Sequence, residues 1–386
     1  MATQLLYHRP QLAQRLAKQI LSVSVGSASG SGVFFAAPRR TGKSTFVRED
    51  LRPELEASGA LVVYSDLWAN PTADPGDVIV GAIRAKLASA QNVLLRLAKG
   101  TGLDKVKVGS FSFDLERIGL GTEVSLTDAL VALSDETRQI IVLIIDEAQH
   151  AITTEAGVAA LFALKAARDE LNSTSHHGLR VICTGSNQDK LAMLRNSKDQ
   201  AFFGAPMVNF PTLGKDYIDW FCDKADLPFP LEPEKIWPLF GEAGYRPELL
   251  GAAADKFRFD FQFDEVTGPE KFAIEVRRLA EELNKTLRSV VHGLTPIQSA
   301  VLRVMAATGE NYAPFESATM DKYKKALELA GAPLEDIKAD VPGVQQALIA
   351  LQEKKLAWRA SRGIYAVEER AIVELLRADG LLVGLE

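Results

Sequence analysis

The stretch Ala37-Pro-Arg-Arg-Thr-Gly-Lys-Ser-Thr45 constrains this chain more than any other, because its chemistry dictates its surroundings. An apolar run, Val33-Phe34-Phe35-Ala36, leads into it, and Phe46-Val47-Arg48 can continue from it as helix. A strand, a tight turn and a helix in that order aim backbone N–H groups and a helix N-terminus at one spot, which attracts an anion. Lys43 adds a full positive charge there, and Ser44 supplies a hydroxyl for a magnesium ion bridging β- and γ-phosphates. Pro38, Arg39, Arg40, Thr41, Gly42, Lys43, Ser44 and Thr45 are therefore the candidate phosphate cradle. The strict pattern starts with glycine, and Ala37 stands in that place. An alanine fits if its φ stays negative, with a slightly tighter loop expected.

A second motif points the same way. Ile140-Ile-Val-Leu-Ile-Ile145 is apolar and β-branched throughout, the pattern of a strand buried on both faces of a parallel sheet. It ends in Asp146-Glu147-Ala148-Gln149-His150. Acids at the C-terminal end of such a strand lie where open α/β sheets bind ligands. Asp146 is the candidate magnesium ligand, directly or through water, and Glu147 the candidate for polarising an attacking water. The lettering is similar to that of the DEAD/DEAH helicases, which need two RecA-like domains. The chain beyond about residue 215 reads as helical, without a second phosphate-binding unit, so the helicase reading is set aside.

The 386 residues allow two or three domains and a large core. Acids outnumber bases 50 to 44, giving a net charge of −6. Any nucleic-acid contact must therefore come from a local patch. Cys183 and Cys222 have no zinc spacing and read as reduced thiols. His176-His177 lacks a third ligand at metal spacing and reads as a solvated loop. No apolar stretch approaches the ~18 to 20 residues that span a membrane. The segment around Tyr7-His8-Arg9-Pro10 lacks a signal-peptide pattern, so a cytoplasmic protein with no membrane partner is expected.

Periodicity organises the rest. Leu12, Leu16 and Ile20 line one face of a helix over 10–22 that starts at Pro10. Val25 to Gly32 is a Gly/Ser-rich connector. Leu61 to Tyr64 predicts a second strand ending at Asp66, and 76–98 a long helix. Lys105–Val108 and Ser110–Asp114 alternate around Gly109 as a short hairpin would. A helix at about 156–171, a fourth strand at Leu179–Thr184 and a short fifth at Met207–Phe210 complete a parallel, helix-covered sheet. The expected fold is thus a P-loop-type α/β unit over 1–212, an all-α lid over 213–292, and a third unit over 293–386. The third unit opens with the capping box Thr295-Pro-Ile-Gln298. It ends in a helix from Pro342 to Glu353 and a hairpin, Leu356–Arg359 and Ile364–Val367, turning at Ser361-Arg362-Gly363. Three helices and a two-stranded wing read as a winged helix.

On these motifs and this order of modules, nearly the whole chain resembles the AAA+ and STAND-like P-loop ATPases. The resemblance is strongest to the predominantly archaeal ATPase group and its origin-initiator-like relatives. It implies ATP and magnesium as ligands, and a polar sensor residue near the γ-phosphate after the fourth strand. Thr184, Ser186 and Asn187 are all eligible there, with Asn187 carried as the candidate. It makes Arg246, in Gly244-Tyr-Arg-Pro-Glu-Leu-Leu250, the candidate lid arginine reaching back to the phosphates. It places Tyr7, His8 and Arg9 beside the adenine. One departure is evident: Phe203-Gly204-Ala205 stands where relatives often carry an arginine, leaving Arg195 or Lys198 to act as a finger toward a neighbouring subunit.

The function expected is ATP hydrolysis, phosphoryl transfer to water, that switches a winged-helix contact. Gln345, Gln346 and Gln352 with Lys354, Lys355, Arg359 and Arg362 are the candidate contacts to double-stranded DNA. Residues 294–386 carry 11 Lys plus Arg against 13 Asp plus Glu, which suits a protein partner or a second copy of the chain equally well. The alternatives are an ATP-gated DNA-binding module with little turnover, as in an initiator, transposition helper or regulator, and a signalling or defence ATPase sensing a protein.

Overall fold

The computed structural model describes residues 5–22, 27–37, 40–89, 113–114, 119–120, 124–173, 176–196, 200–259, 266–331, 339–361 and 363–385. Pro38, Arg39, Lys198 and Arg362 lie outside these, as does most of the expected hairpin at 105–114. Its last two residues, Phe113–Asp114, pair antiparallel with Gly119–Leu120, which in turn pairs with Val124–Ser125.

Five strands form the central sheet: β1 (Val33–Ala36), β2 (Leu61–Asp66), β3 (Ile141–Asp146), β4 (Leu179–Gly185) and β5 (Met207–Asn209). All neighbours are parallel, in the order β2-β3-β4-β1-β5. Every residue of β3 is buried, as its unbroken apolar run requires. Because β4 lies between β1 and β3, the C-terminal ends of these three strands open into one crevice.

Helices cover both faces. One face packs α1 (Pro10–Leu21) and α2, which runs through Lys43–Phe46, Val47–Leu51 and Arg52–Ala57. The middle stretch of α2 widens into a π-turn just before Pro53. Proline cannot donate the next helical hydrogen bond, and the wider turn absorbs that loss. The other face packs α3 (Pro75–Ser89), α4 (Leu126–Thr137) and α5 (Glu155–Ser173). The expected helix over 76–98 is described to Ser89, and 90–98 lies outside the described residues. The short helix α6 (Gln188–Ala192) follows β4.

A second, aromatic-rich core joins α7 (Lys215–Lys224), α8 (Pro233–Glu242), α9 (Pro247–Arg258) and the start of α10 (Gly268–His292). Tyr7 packs edge-on against Tyr217 at 5.3 Å between ring centroids, so the N-terminal segment straps this core to the sheet unit. A third core gathers α11 (Pro296–Thr308), α12 (Ser317–Leu329), α13 (Val341–Glu353), the hairpin β6 (Ala357–Ser361) and β7 (Ile364–Val367), and α14 (Arg370–Ala378). The capping box forms as expected, Thr295 accepting from the Gln298 N–H and Gln298 from the Thr295 N–H. Helix α10 contributes Phe272 and Val276 to the second core and Val291 to the third, so one rigid rod links them.

The hairpin packs on both faces, with Arg359 and Ile364 left exposed. Ala357, Tyr365 and Val367 face the third core, whereas Trp358 and Ala366 pack against Ile152 and Met193 of the sheet unit. No helix among the described residues is long and apolar enough to cross a membrane.

Candidate nucleotide site

The phosphate loop is built by a change of backbone hand. Ala37 keeps φ out of the left-handed region and donates its N–H to the Gly185 carbonyl at 3.2 Å, so glycine is not required there. The left-handed residues are Arg40 (φ 64°) and Gly42 (φ 81°). A non-glycine held at positive φ is strained, and such strain concentrates where the backbone must be aimed. Gly42 then caps α2, whose first residue is Lys43.

Lys43 is buried and its ammonium lies 2.7 Å from Asp146 Oδ1, 2.9 Å from Thr184 Oγ1 and 3.5 Å from Glu147 Oε1. Thr184 also donates to Asp146 Oδ1, and the Tyr64 hydroxyl donates to Oδ2 at 3.0 Å. Burial pushes the Asp146 carboxyl up, but the charge of Lys43 and hydrogen bonds from Lys43, Thr184 and Ser44 outweigh it and hold its pKa at about 2. Asp146 is thus a carboxylate whose counter-charge is Lys43. Burial, the charge of Asp146 and the bond to it raise the Tyr64 phenol well above its ordinary value, so Tyr64 serves as donor.

Glu147 follows in the left-handed conformation (φ 55°), which turns its side chain away from the strand. Its Oε2 accepts from Gln149 Nε2 at 2.6 Å and from Ser186 Oγ at 3.1 Å. Gly185 makes room for this arrangement: a Cβ there would stand 2.4 Å from Gln149 Oε1. Arg40, Gly42, Lys43, Ser44 and Thr45 face Asp66, Trp68, Asp146, Glu147 and Ser186 across a cavity of about 330 Å³.

A magnesium ion fits these residues on donor chemistry. A hydroxyl and a carboxylate from Ser44 and Asp146 meet at one wall, hard oxygen donors of the type it prefers. Among the described residues no cluster of three His, Cys, Asp or Glu makes an all-protein metal cage. That suits a cation completing its shell with phosphate oxygens and water.

The remaining candidates are placed as follows. Asn187 is buried but faces away from this cavity. It caps α6 through Oδ1 on the Lys190 N–H, and its Nδ2 donates to the Val367 carbonyl at 2.8 Å. Of the three eligible residues after the fourth strand, Thr184 and Ser186 are the ones beside Lys43 and Glu147. Arg246 caps α9, its Nε 2.6 Å from Glu248 Oε1, and lines a second cavity of about 470 Å³ that also touches Thr41 and Ser186. Arg9 lies outside both cavities. Its guanidinium donates to the Pro211 and Thr212 carbonyls and sits over Phe46 and Phe210, in the seam between the first two cores. Arg195 donates to the Ala205 carbonyl and to Asn196, so its guanidinium is committed within its own subunit. Tyr64, Gln149 and Ser186 were not singled out as partners of the two acids. Gln149 and Ser186 lie in the motifs quoted above, but their direction depends on the turns that follow β3 and β4. His176, expected to be solvated, instead contacts Asp135 Oδ1 at 2.7 Å. Cys183 is buried, and burial pushes its thiol up, which suits an inert core residue.

No family model matches the chain, and no curated protein matches it. Solved structures similar to it include the Walker-type ATPase PABY2304 of Pyrococcus abyssi, at 17% identity and TM-score 0.48, covering 96% of each chain. The Aeropyrum pernix ORC2 protein in its ADP form is similar at 14% identity and TM-score 0.49, covering 99% of this chain and 95% of that one. The Aeropyrum pernix ORC1 protein in complex with DNA is similar at 18% identity and TM-score 0.42, covering 100% and 96%. By its own elements, the fold of this chain is a P-loop α/β sheet followed by an all-α unit and a C-terminal helical unit with a hairpin.

Proposed function

We propose that this protein is an ATP- and magnesium-dependent hydrolytic switch, divided into a core over 1–212, a lid over 213–292 and a winged-helix unit over 293–386. The observation that carries this is the meeting of Lys43, Asp146, Thr184 and Glu147 at the ends of three adjacent strands, beside a cavity facing the phosphate loop.

In the arrangement described, Lys43 and Asp146 neutralise each other. A bound triphosphate would offer Lys43 an anion in place of Asp146, and Asp146 and Ser44 would then hold the metal. Magnesium, when bound, would neutralise phosphate charge. Ser186 and Gln149 hold one oxygen of Glu147, leaving the other to orient a water toward the γ-phosphorus. Arg246 lies in the lid, on a cavity shared with Thr41, and closes toward the phosphates.

The contact under control is with duplex DNA through the exposed Gln345, Gln346, Lys354, Lys355 and Arg359. The test is ATP turnover by the full chain with and without duplex DNA, paired with a salt titration of duplex binding. Duplex should change the turnover rate, and replacing Lys354 and Lys355 with alanine should flatten log affinity against log salt by roughly 0.9 per lost contact. Turnover indifferent to duplex, with no binding at about 50 mM salt, would assign the winged-helix unit to a protein partner instead.

A further inference from the structure

We propose that Arg370 is a catalytic residue supplied in cis by the C-terminal unit, placing a positive charge on the γ-phosphoryl group during hydrolysis. This rests on the ATPase reading above and deepens it.

Arg370 is the first residue of α14, where the positive end of the helix disfavours a cation. It lines the cavity of about 470 Å³ whose walls include Thr41 of the phosphate loop, Arg246 of the lid and Ser186, the residue that holds Glu147. Because Ser186 borders the 330 Å³ cavity as well, the two spaces adjoin at Ser186, beside Glu147.

The position of Arg370 is fixed from the sheet unit. Its Nη1 donates to Gln188 Oε1 at 3.1 Å. Just upstream, Asn187 Nδ2 donates to the Val367 carbonyl at 2.8 Å and the Lys190 ammonium meets Glu368 Oε1 at 2.8 Å. Lys190 also sits over the Trp358 ring, 5.0 Å from its centroid. These contacts clamp the hairpin and the start of α14 to the segment that follows β4. The Arg370 side chain is 42% exposed and its pair with Glu374 is a surface i,i+4 contact, weak enough to be given up for a phosphate. Glu369 and Glu374 line the same cavity.

In the reaction, a water oxygen forms a bond to the γ-phosphorus as the bond to the β,γ-bridging oxygen breaks. The electron pair of that bond leaves with ADP, and the water's proton ends on inorganic phosphate. Charge grows on the bridging and equatorial oxygens, and a guanidinium is the group suited to it. Arg195 is tied to the Ala205 carbonyl, so the docked C-terminal unit stands in for a neighbouring subunit.

The test compares wild type, Arg370→Ala, Arg370→Lys and Gln188→Ala in the full chain. It measures kcat and KM for ATP, and the affinities for ADP alone and for ADP with aluminium fluoride, which mimics the transferring phosphoryl group. Arg370→Ala should lower kcat at least a hundredfold with KM little changed. It should abolish the affinity gained from fluoride while leaving ADP affinity intact, and Arg370→Lys should recover part of both. Gln188→Ala, which removes the hydrogen bond that positions Arg370, should lower kcat severalfold while leaving ADP affinity unchanged. Wild-type turnover per molecule should not depend on protein concentration. Unchanged kcat in Arg370→Ala, equal losses in ADP and fluoride-complex affinity, or a specific rate that rises with concentration would each overturn the proposal. Wild type that neither binds nor hydrolyses ATP would remove the underlying reading, and this inference with it.

Discussion

Replacing Glu147 with glutamine is expected to lower ATP turnover at least a hundredfold while leaving magnesium-ATP affinity within a factor of about three, since a positioned acid or base contributes roughly 10²- to 10⁴-fold. Glutamine keeps the length of the side chain and can accept from Gln149 and Ser186 as Glu147 does at 2.6 and 3.1 Å. It removes the negative charge that orients and polarises water. Asp146→Ala should behave differently, weakening magnesium-dependent binding and leaving the buried Lys43 ammonium without its 2.7 Å carboxylate partner. The measurements are steady-state turnover and equilibrium binding of the same preparations. Equal turnover in wild type and Glu147→Gln would make Glu147 a bystander.

Glu368→Ala is expected to destabilise the folded chain by about 2–3 kcal/mol, because it removes the carboxylate partner of a charge that the fold has enclosed. The Lys190 side chain is 2% exposed and its ammonium is 2.8 Å from Glu368. Removing one partner of a buried pair typically costs about 3–5 kcal/mol. Glu368 is itself 21% exposed, so water reaches the pair and the lower figure applies. Replacing Lys190 with methionine in the Glu368→Ala background should recover most of the loss, since apolar groups of similar volume substitute well for buried pairs. Denaturant unfolding of the three proteins measures this. A Glu368→Ala chain as stable as wild type within about 0.5 kcal/mol would mean that the clamp between the hairpin and the sheet unit does not form in solution.

How much of this was legible in the sequence depended on the range of the interactions. The run Ile140–Ile145 declared a doubly buried strand because burial on both faces leaves no polar alternation, and it forms over Ile141–Asp146. Lys43, Asp146 and Glu147 were legible because phosphate chemistry requires those residue types at the ends of such strands. Pro10 announced a helix start through its fixed φ, and Thr295 and Gln298 announced one through the capping bonds that the structure contains. Asn187 was the harder case. Its amide group sits in the right segment, yet its direction is set by Val367, 180 positions away, and by its local role as the cap of α6. The packing of both hairpin faces is likewise a tertiary fact. Trp358 alternates with Ala357 as any wing strand would, and only its packing on Ile152 and Met193 shows that one face is turned to the sheet unit. Helix α14 follows Glu368-Glu369, and its apolar side, Ile372 and Leu376, closes the third core.

The account stands or falls on the phosphate loop, and calorimetric titration of the full chain with magnesium-ATP tests it most directly. The expected result is saturable binding by wild type at one site, accompanied at about 100 times the dissociation constant by roughly 2.7 kcal/mol of added stability. Lys43→Ala should bind at least a hundredfold more weakly, and its melting temperature should not respond to the nucleotide. Absence of any heat or melting shift for wild type with millimolar ATP, ADP or GTP would contradict the account, as would a Lys43→Ala chain that binds as tightly as wild type.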